Sequence, residues 1–234
     1  VGMGEAIISS RGIELGYLNP LVFYKFLEMS LQDRDNGTLF FDLQTHFVKD
    51  LELQGTFFLD EDILGNLSDF SKQTNKTAYQ LGFYWYEPAG IQNLALIFEY
   101  TKIRPYVYTH FDPKNIYTGF GVILGHPIGP NADQLFTRLQ YNLSERVSFN
   151  LELQKIRKGE NVYNSKGELV RNVGGSVYDS FVAERDDDQA YFLDGVRVND
   201  YNVRFNFIYE PLLNYTFDVN YVYNISKNIT YGNN

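Results

Sequence analysis

The sequence predicts an all-β fold, the wall of an antiparallel transmembrane β-barrel with one or two short helices. Three observations carry this. Paired runs alternate apolar and polar residues with period two, the connections between runs are alternately short and long, and no apolar run reaches the ~18 residues a membrane-crossing helix needs. Mean hydropathy is −0.30, which also argues against a helical membrane protein.

The first elements are the least regular. Residues 6 to 17 read as a weak strand. Residues 20 to 33 carry Phe23, Phe26, Leu27 and Leu31 at helical spacing, which predicts a short amphipathic helix acting as a cap or plug. The pattern then sharpens. Phe41, Leu43, Thr45 and Phe47 oppose Asp42, Gln44 and His46; after a short turn, Leu51, Leu53, Gly55, Phe57 and Leu59 oppose Glu52, Gln54 and Thr56. A second helix is expected over 63 to 72, with Asn66 or Ser68 as cap.

The second hairpin sets Tyr79, Leu81, Phe83 and Trp85 against Leu94, Leu96, Phe98 and Tyr100 across Glu87-Pro88-Ala89-Gly90, whose proline and glycine end the pairing. The third runs Leu135 to Tyr141 and returns through Val147, Phe149, Leu151 and Leu153. The fourth runs Val203 to Tyr209, turns at Glu210-Pro211 and returns from Tyr215 to Tyr223. Between pairs lie the segments 60–77, 102–134 and 156–200. Because antiparallel strands alternate direction, the short turns fall at one end and the long loops at the other, the asymmetry of outer-membrane barrels. Tyr84, Trp85, Tyr86, Tyr141, Tyr209 and Tyr215 crowd the short turns, as an aromatic girdle would. On this reading Leu139, Leu151, Phe205, Phe207, Phe217 and Val219 face lipid, while Asn150, Glu152, Arg204, Asn206, Asp218 and Asn220 face a lumen. A soluble β-sandwich shows the same alternation and is the rival fold.

Composition narrows the chemistry. The 234 residues contain no cysteine, so thiolate metal sites and disulfides are excluded. A net charge of −9 argues against a nucleic-acid partner, whose phosphates need clustered Lys and Arg. The three histidines lack the spacing of a zinc helix, no serine sits in a Gly-x-Ser-x-Gly elbow, and no carboxylate pair marks a glycosidase. The expectation is therefore a binding protein, not an enzyme, with no metal and no cofactor. The acidic runs Asp60-Glu61-Asp62 and Asp186-Asp187-Asp188 read as solvated loop charge.

Sugar recognition needs aromatic rings to stack on C–H faces and planar polar groups to read hydroxyls. The segment 102–134 supplies both, and its candidates are Arg104, Tyr106, Tyr108, His110, Tyr117, Asn131 and Asp133. A structural role for the same residues is the weightier competing reading, with Arg104 pairing with Glu99 or another lumen carboxylate to pin the loop and Gly125, Gly129 and Pro130 shaping it.

One resemblance rests on this segment. Glu99-Tyr100-Thr101, then Arg104-Pro105-Tyr106-Val107-Tyr108-Thr109-His110, then Gly125-His126-Pro127-Ile128-Gly129-Pro130-Asn131-Ala132-Asp133, resembles the Wzi family of capsule-assembly proteins. The resemblance implies a bacterial outer-membrane barrel, larger than these strands close, that assists assembly and surface attachment of capsular polysaccharide in a lectin-like way. It implies polysaccharide and outer-membrane lipid as partners. The 234 residues are then a single barrel domain and a portion of a larger one. The opening Val1-Gly2-Met3-Gly4-Glu5 has neither the basic start nor the apolar core of a secretory signal, and the ending Tyr221 to Asn234 lacks the terminal aromatic expected of a complete barrel. A diffusion porin is the alternative function.

Overall fold

The computed structural model describes residues 1–10, 12, 14–19, 22–31, 35–60, 69 and 71–231. In chain order the elements are β1 (Gly2–Ile8), a 3-10 turn (Leu15–Leu18), α1 (Tyr24–Ser30), β2 (Asn36–Val48), β3 (Leu51–Leu59), β4 (Thr77–Tyr86) and β5 (Leu94–Ile103). There follow β6 (Thr118–Gly119), β7 (Val122–Ile123), β8 (Ala132–Ser144), β9 (Val147–Glu160), β10 (Val162–Tyr163), β11 (Leu169–Arg171), β12 (Val196–Leu212) and β13 (Tyr215–Asn228). Nine of these strands make one antiparallel sheet in the order β1-β2-β3-β4-β5-β8-β9-β12-β13, a meander in sequence order. The pairs β6–β7 and β10–β11 are small ribbons inside the long loops.

The four hairpins stand where the alternation places them, and their register keeps the two phases apart. Leu96, Leu139, Leu151, Phe205 and Tyr221 form one continuous row across five strands. Thr56 oppose Asp42, Gly82 opposes Glu99, and Glu152 sits between Arg138 and Arg204 on the other side. All six residues expected on the apolar side lie there, and all six polar ones lie opposite. A one-residue slip would have reversed both sets.

Two expectations need correction. The first strand is Gly2–Ile8, not 6–17: after Ser9-Ser10, Gly12 takes a φ of 103° and the chain leaves the sheet before the 3-10 turn. The long-loop ends of β8, β9 and β12 run well past the alternation, since β9 reaches Glu160 and β12 begins at Val196. Pairing persists there while the apolar phase turns polar at Lys155, Arg157 and Asn199, so hydropathy no longer reports the strand. The sheet itself is open, and closure of these strands was not expected. Nine consecutive antiparallel strands leave β1 and β13 running the same way, so they cannot close an all-antiparallel barrel with each other.

No second sheet covers the apolar side among the described residues. There Leu43, Leu81 and Phe217 remain 53%, 55% and 63% exposed. The core lies instead on the polar side, at the long-loop end only, where Ala78, Ile103 and Ala132 of the sheet meet Val107, Tyr108, Ile128 and Val177 of the loops. The helix α1 spans seven residues of the expected 20–33 and packs against β1 and β2. Glu5 accepts the Tyr24 amide at 2.9 Å and Glu28 accepts that of Gly37 at 3.0 Å. The helix expected over 63–72 falls almost wholly outside the described residues.

Candidate functional site: the loop platform

Below the loops, the polar side is a lattice of complementary groups. Arg138 pairs with Glu152 at 2.7 Å, Gln154 donates to Gln134 at 3.1 Å and accepts from Asn202 at 2.8 Å, and Asn206 donates to Asp218 at 2.6 Å. Such pairing lets many polar side chains share one sheet face without bulk water satisfying each of them.

Above it, residues 104–131 and 161–195 fold back onto this face. The turn begins at Arg104, whose amide donates to Thr77 O at 3.1 Å and whose Nε donates to Asn75 O at 3.0 Å. Tyr106 and Tyr108 then both adopt positive φ, 63° and 73°, a conformation costly for bulky side chains and held only where surroundings overdetermine it. The surroundings do so here. Tyr106 donates its amide to Gly174 O at 3.0 Å and its hydroxyl to Asn172 O at 3.2 Å, and its ring lies against Gly174, where a Cβ would come within 2.6 Å of it. The Tyr108 amide is bound by the Asp60 carboxylate, and its hydroxyl accepts the His126 amide at 3.0 Å. Burial pushes the Tyr108 phenol up to about 12 and raises that of Tyr106 further, and burial lowers the His126 imidazole below its ordinary value.

Three asparagines tie the loops together. Asn131, fully buried at φ 53°, donates to Gly159 O at 2.8 Å and Asp194 O at 3.1 Å and accepts the Leu193 amide at 2.7 Å. Asn161 accepts from Val173 and Gly175, while Asn172 donates to Asp179 O and to Asp186. Asp60 and Asp186 are thus bound inside the platform, which corrects their reading as solvated charge; the reason is that buried backbone amides need acceptors. Glu99 accepts from Gln54 at 3.1 Å and is not paired with Arg104, and among the described residues the carboxylate whose charge acts on Arg104 is Asp69.

Of the seven sequence candidates, Tyr106, Tyr108, His110, Asn131 and Asp133 are buried, and Arg104 and Tyr117 are half-buried. Tyr108 and Tyr117 come together, stacked at 5.6 Å and 17°, with Phe58 edge-on to both. These rings line a cleft of about 270 Å³ between the loop and the sheet, completed by Phe40, Thr56, Gln80, Thr101 and His126. Tyr106 belongs to a separate cluster with Phe181. His110 packs its ring on Phe111 at 4.3 Å, and its carbonyl accepts the Ser180 hydroxyl. Asp133 lies across the sheet, on the apolar side, gripped by Arg157. Sequence reasoning missed Phe40, Phe58, Thr56 and Gln80. A signal existed for the two phenylalanines: both are apolar residues at polar-phase positions near the long-loop end, where something other than water must cover them.

The cleft mixes stacked rings with hydroxyl and amide groups. Its arrangement fits binding by stacking and hydrogen bonding. Fold and platform together define a β-meander protein that carries an elaborated loop surface at one end of an alternately apolar and polar sheet. Residues 56–189, more than half of the chain and the span holding most of the platform, match the sequence model of the family described as capsule assembly protein Wzi, and the chain belongs to that family. No curated protein and no solved structure is matched.

Proposed function

We propose that this protein is part of an outer-membrane β-barrel that retains capsular polysaccharide at the bacterial surface, recognising it through the loop platform without catalysing a reaction. The observation that carries the reading is the partition of the sheet's two sides. The loops cover the polar side, which would line a lumen, and leave bare an apolar band whose only charge is Lys155 at its long-loop edge. On β12 that band runs from Tyr201 to Tyr209, about 26 Å along the strand and about 20 Å in height at a tilt near 40°, close to the apolar belt of outer-membrane barrels. Tyrosines at both limits suit two interfaces. Membership in a capsule-assembly family supplies the ligand class.

Within the platform, buried Tyr106, Tyr108 and Asn131 act as frame, and the half-buried Tyr117 ring with Thr56 and Gln80 offers the cleft surface a sugar would meet. Comparing surface-bound with released polysaccharide tests this in cells carrying the wild type, Tyr117→Ala, Gln80→Ala or a deletion. Deletion is expected to release capsule, and Tyr117→Ala to release an intermediate amount at unchanged protein level. Retention of capsule after deletion would overturn the function. Release on deletion alone, with both alanine variants behaving as wild type, would move the contact away from the cleft.

A further inference from the structure

We propose that the apolar band ends, toward the long loops, in a cationic collar that binds the phosphate headgroups of anionic lipid; this rests on the membrane placement above. The register supplies the collar. Lys102, Asp133, Arg157, Asn199 and Lys227 form one row across five neighbouring strands on the apolar side. Lys155 stands in the next row, between Leu135 and Tyr201. Arg157 closes onto Asp133 through Nε at 2.9 Å and through Nη2, which consumes the row's one carboxylate. The ammonium groups of Lys155 and Lys227 have no carboxylate at ion-pair distance among the described residues.

Three features separate this row from scattered surface charge. On this side of the large sheet, from β2 to β13, the rows between the collar and the short turns hold no charged residue at all. The collar is net cationic in a chain whose net charge is −9, so its sign runs against the composition. Two of its three lysines also hold their ammonium groups over rings, Lys102 at 4.2 Å from the Phe192 centroid and Lys155 at 5.6 Å from that of Tyr201. A lysine ammonium held over an aromatic face is oriented at the edge of the apolar wall while keeping donors free for an anion. A bilayer filling the band places lipid phosphates at this level, and lysine recognises phosphate as a compact point charge.

The test reconstitutes the protein into phosphatidylcholine bilayers containing diphosphoryl lipid A and counts co-purified lipid A by mass spectrometry. The collar variant is Lys155→Gln/Lys227→Gln; the charge-matched control is Lys114→Gln/Lys166→Gln, both exposed in the loops. Wild type and control are expected to retain lipid A equally, and the collar variant to bind it about tenfold less tightly or weaker still. Equal retention by the collar variant, equal loss by the control, or equal retention of dephosphorylated lipid A each overturns the proposal. Displacement of lipid A by heparin would reassign the collar to acidic polysaccharide. Insertion without lipid A selectivity removes the collar alone, whereas failure to insert into any bilayer removes the membrane placement with it.

Discussion

Arginine at Phe205 is expected to cost about 2–4 kcal/mol of stability in a bilayer, against little for arginine at the adjacent Asn206. Phe205 lies midway between Tyr201 and Tyr209 on the apolar side of β12, in the row with Leu151 and Tyr221. A guanidinium there must sit in hydrocarbon, or drag headgroups and water toward it, because no carboxylate stands in its row or the two adjacent ones. At Asn206 the same side chain would meet Asp218 and Asn220. Denaturant unfolding in phospholipid vesicles measures the difference. Equal costs at 205 and 206 would mean that the two sides do not meet different solvents.

The second large effect is expected from Asn131→Ala, about 3 kcal/mol, together with loss of protease protection over residues 172–195. The side chain is the only link described between the Gly159 carbonyl, the Asp194 carbonyl and the Leu193 amide. Deleting it strands one buried and two part-buried polar groups at about 1 kcal/mol each. Asn131 also holds a left-handed backbone, which asparagine tolerates better than alanine. Asn131→Asp keeps the acceptor for Leu193 but aims a carboxylate at two carbonyls, so it should be at least as damaging. Wild-type proteolysis of Asn131→Ala would show that the two long loops are held by other contacts.

The sheet was legible because each strand reports its own geometry. A residue such as Leu151 is assigned a side by its neighbours at 150 and 152, and the turns at Val48 to Leu51 and Glu210 to Tyr215 announce themselves locally. The same locality explains where reading stopped. At Lys155 and Arg157 the strand continues but its outward phase becomes polar, so the run ended too early on paper. Within the platform almost nothing is local: Asp60 serves an amide 48 residues away, and Asn131 serves a carbonyl 63 residues away. The segment 102–134 was legible as dense in rings and polar groups, but not which of them would be frame. Positive φ at Tyr106 and Tyr108 has no sequence mark, and it turns both rings into the protein, leaving Tyr117 beside the cleft.

The central claim is that lipid meets one side of the sheet and water the other, and the absence of native cysteine makes a direct measurement possible. Single cysteines at 203 to 208 of β12 would carry nitroxide labels in reconstituted protein, with relaxation read against oxygen, which concentrates in hydrocarbon, and a water-soluble nickel chelate. The account predicts strict alternation: labels at Val203, Phe205 and Phe207 respond to oxygen, and labels at Arg204, Asn206 and Ile208 respond to the chelate or to neither. Response to the chelate at all six positions would contradict it.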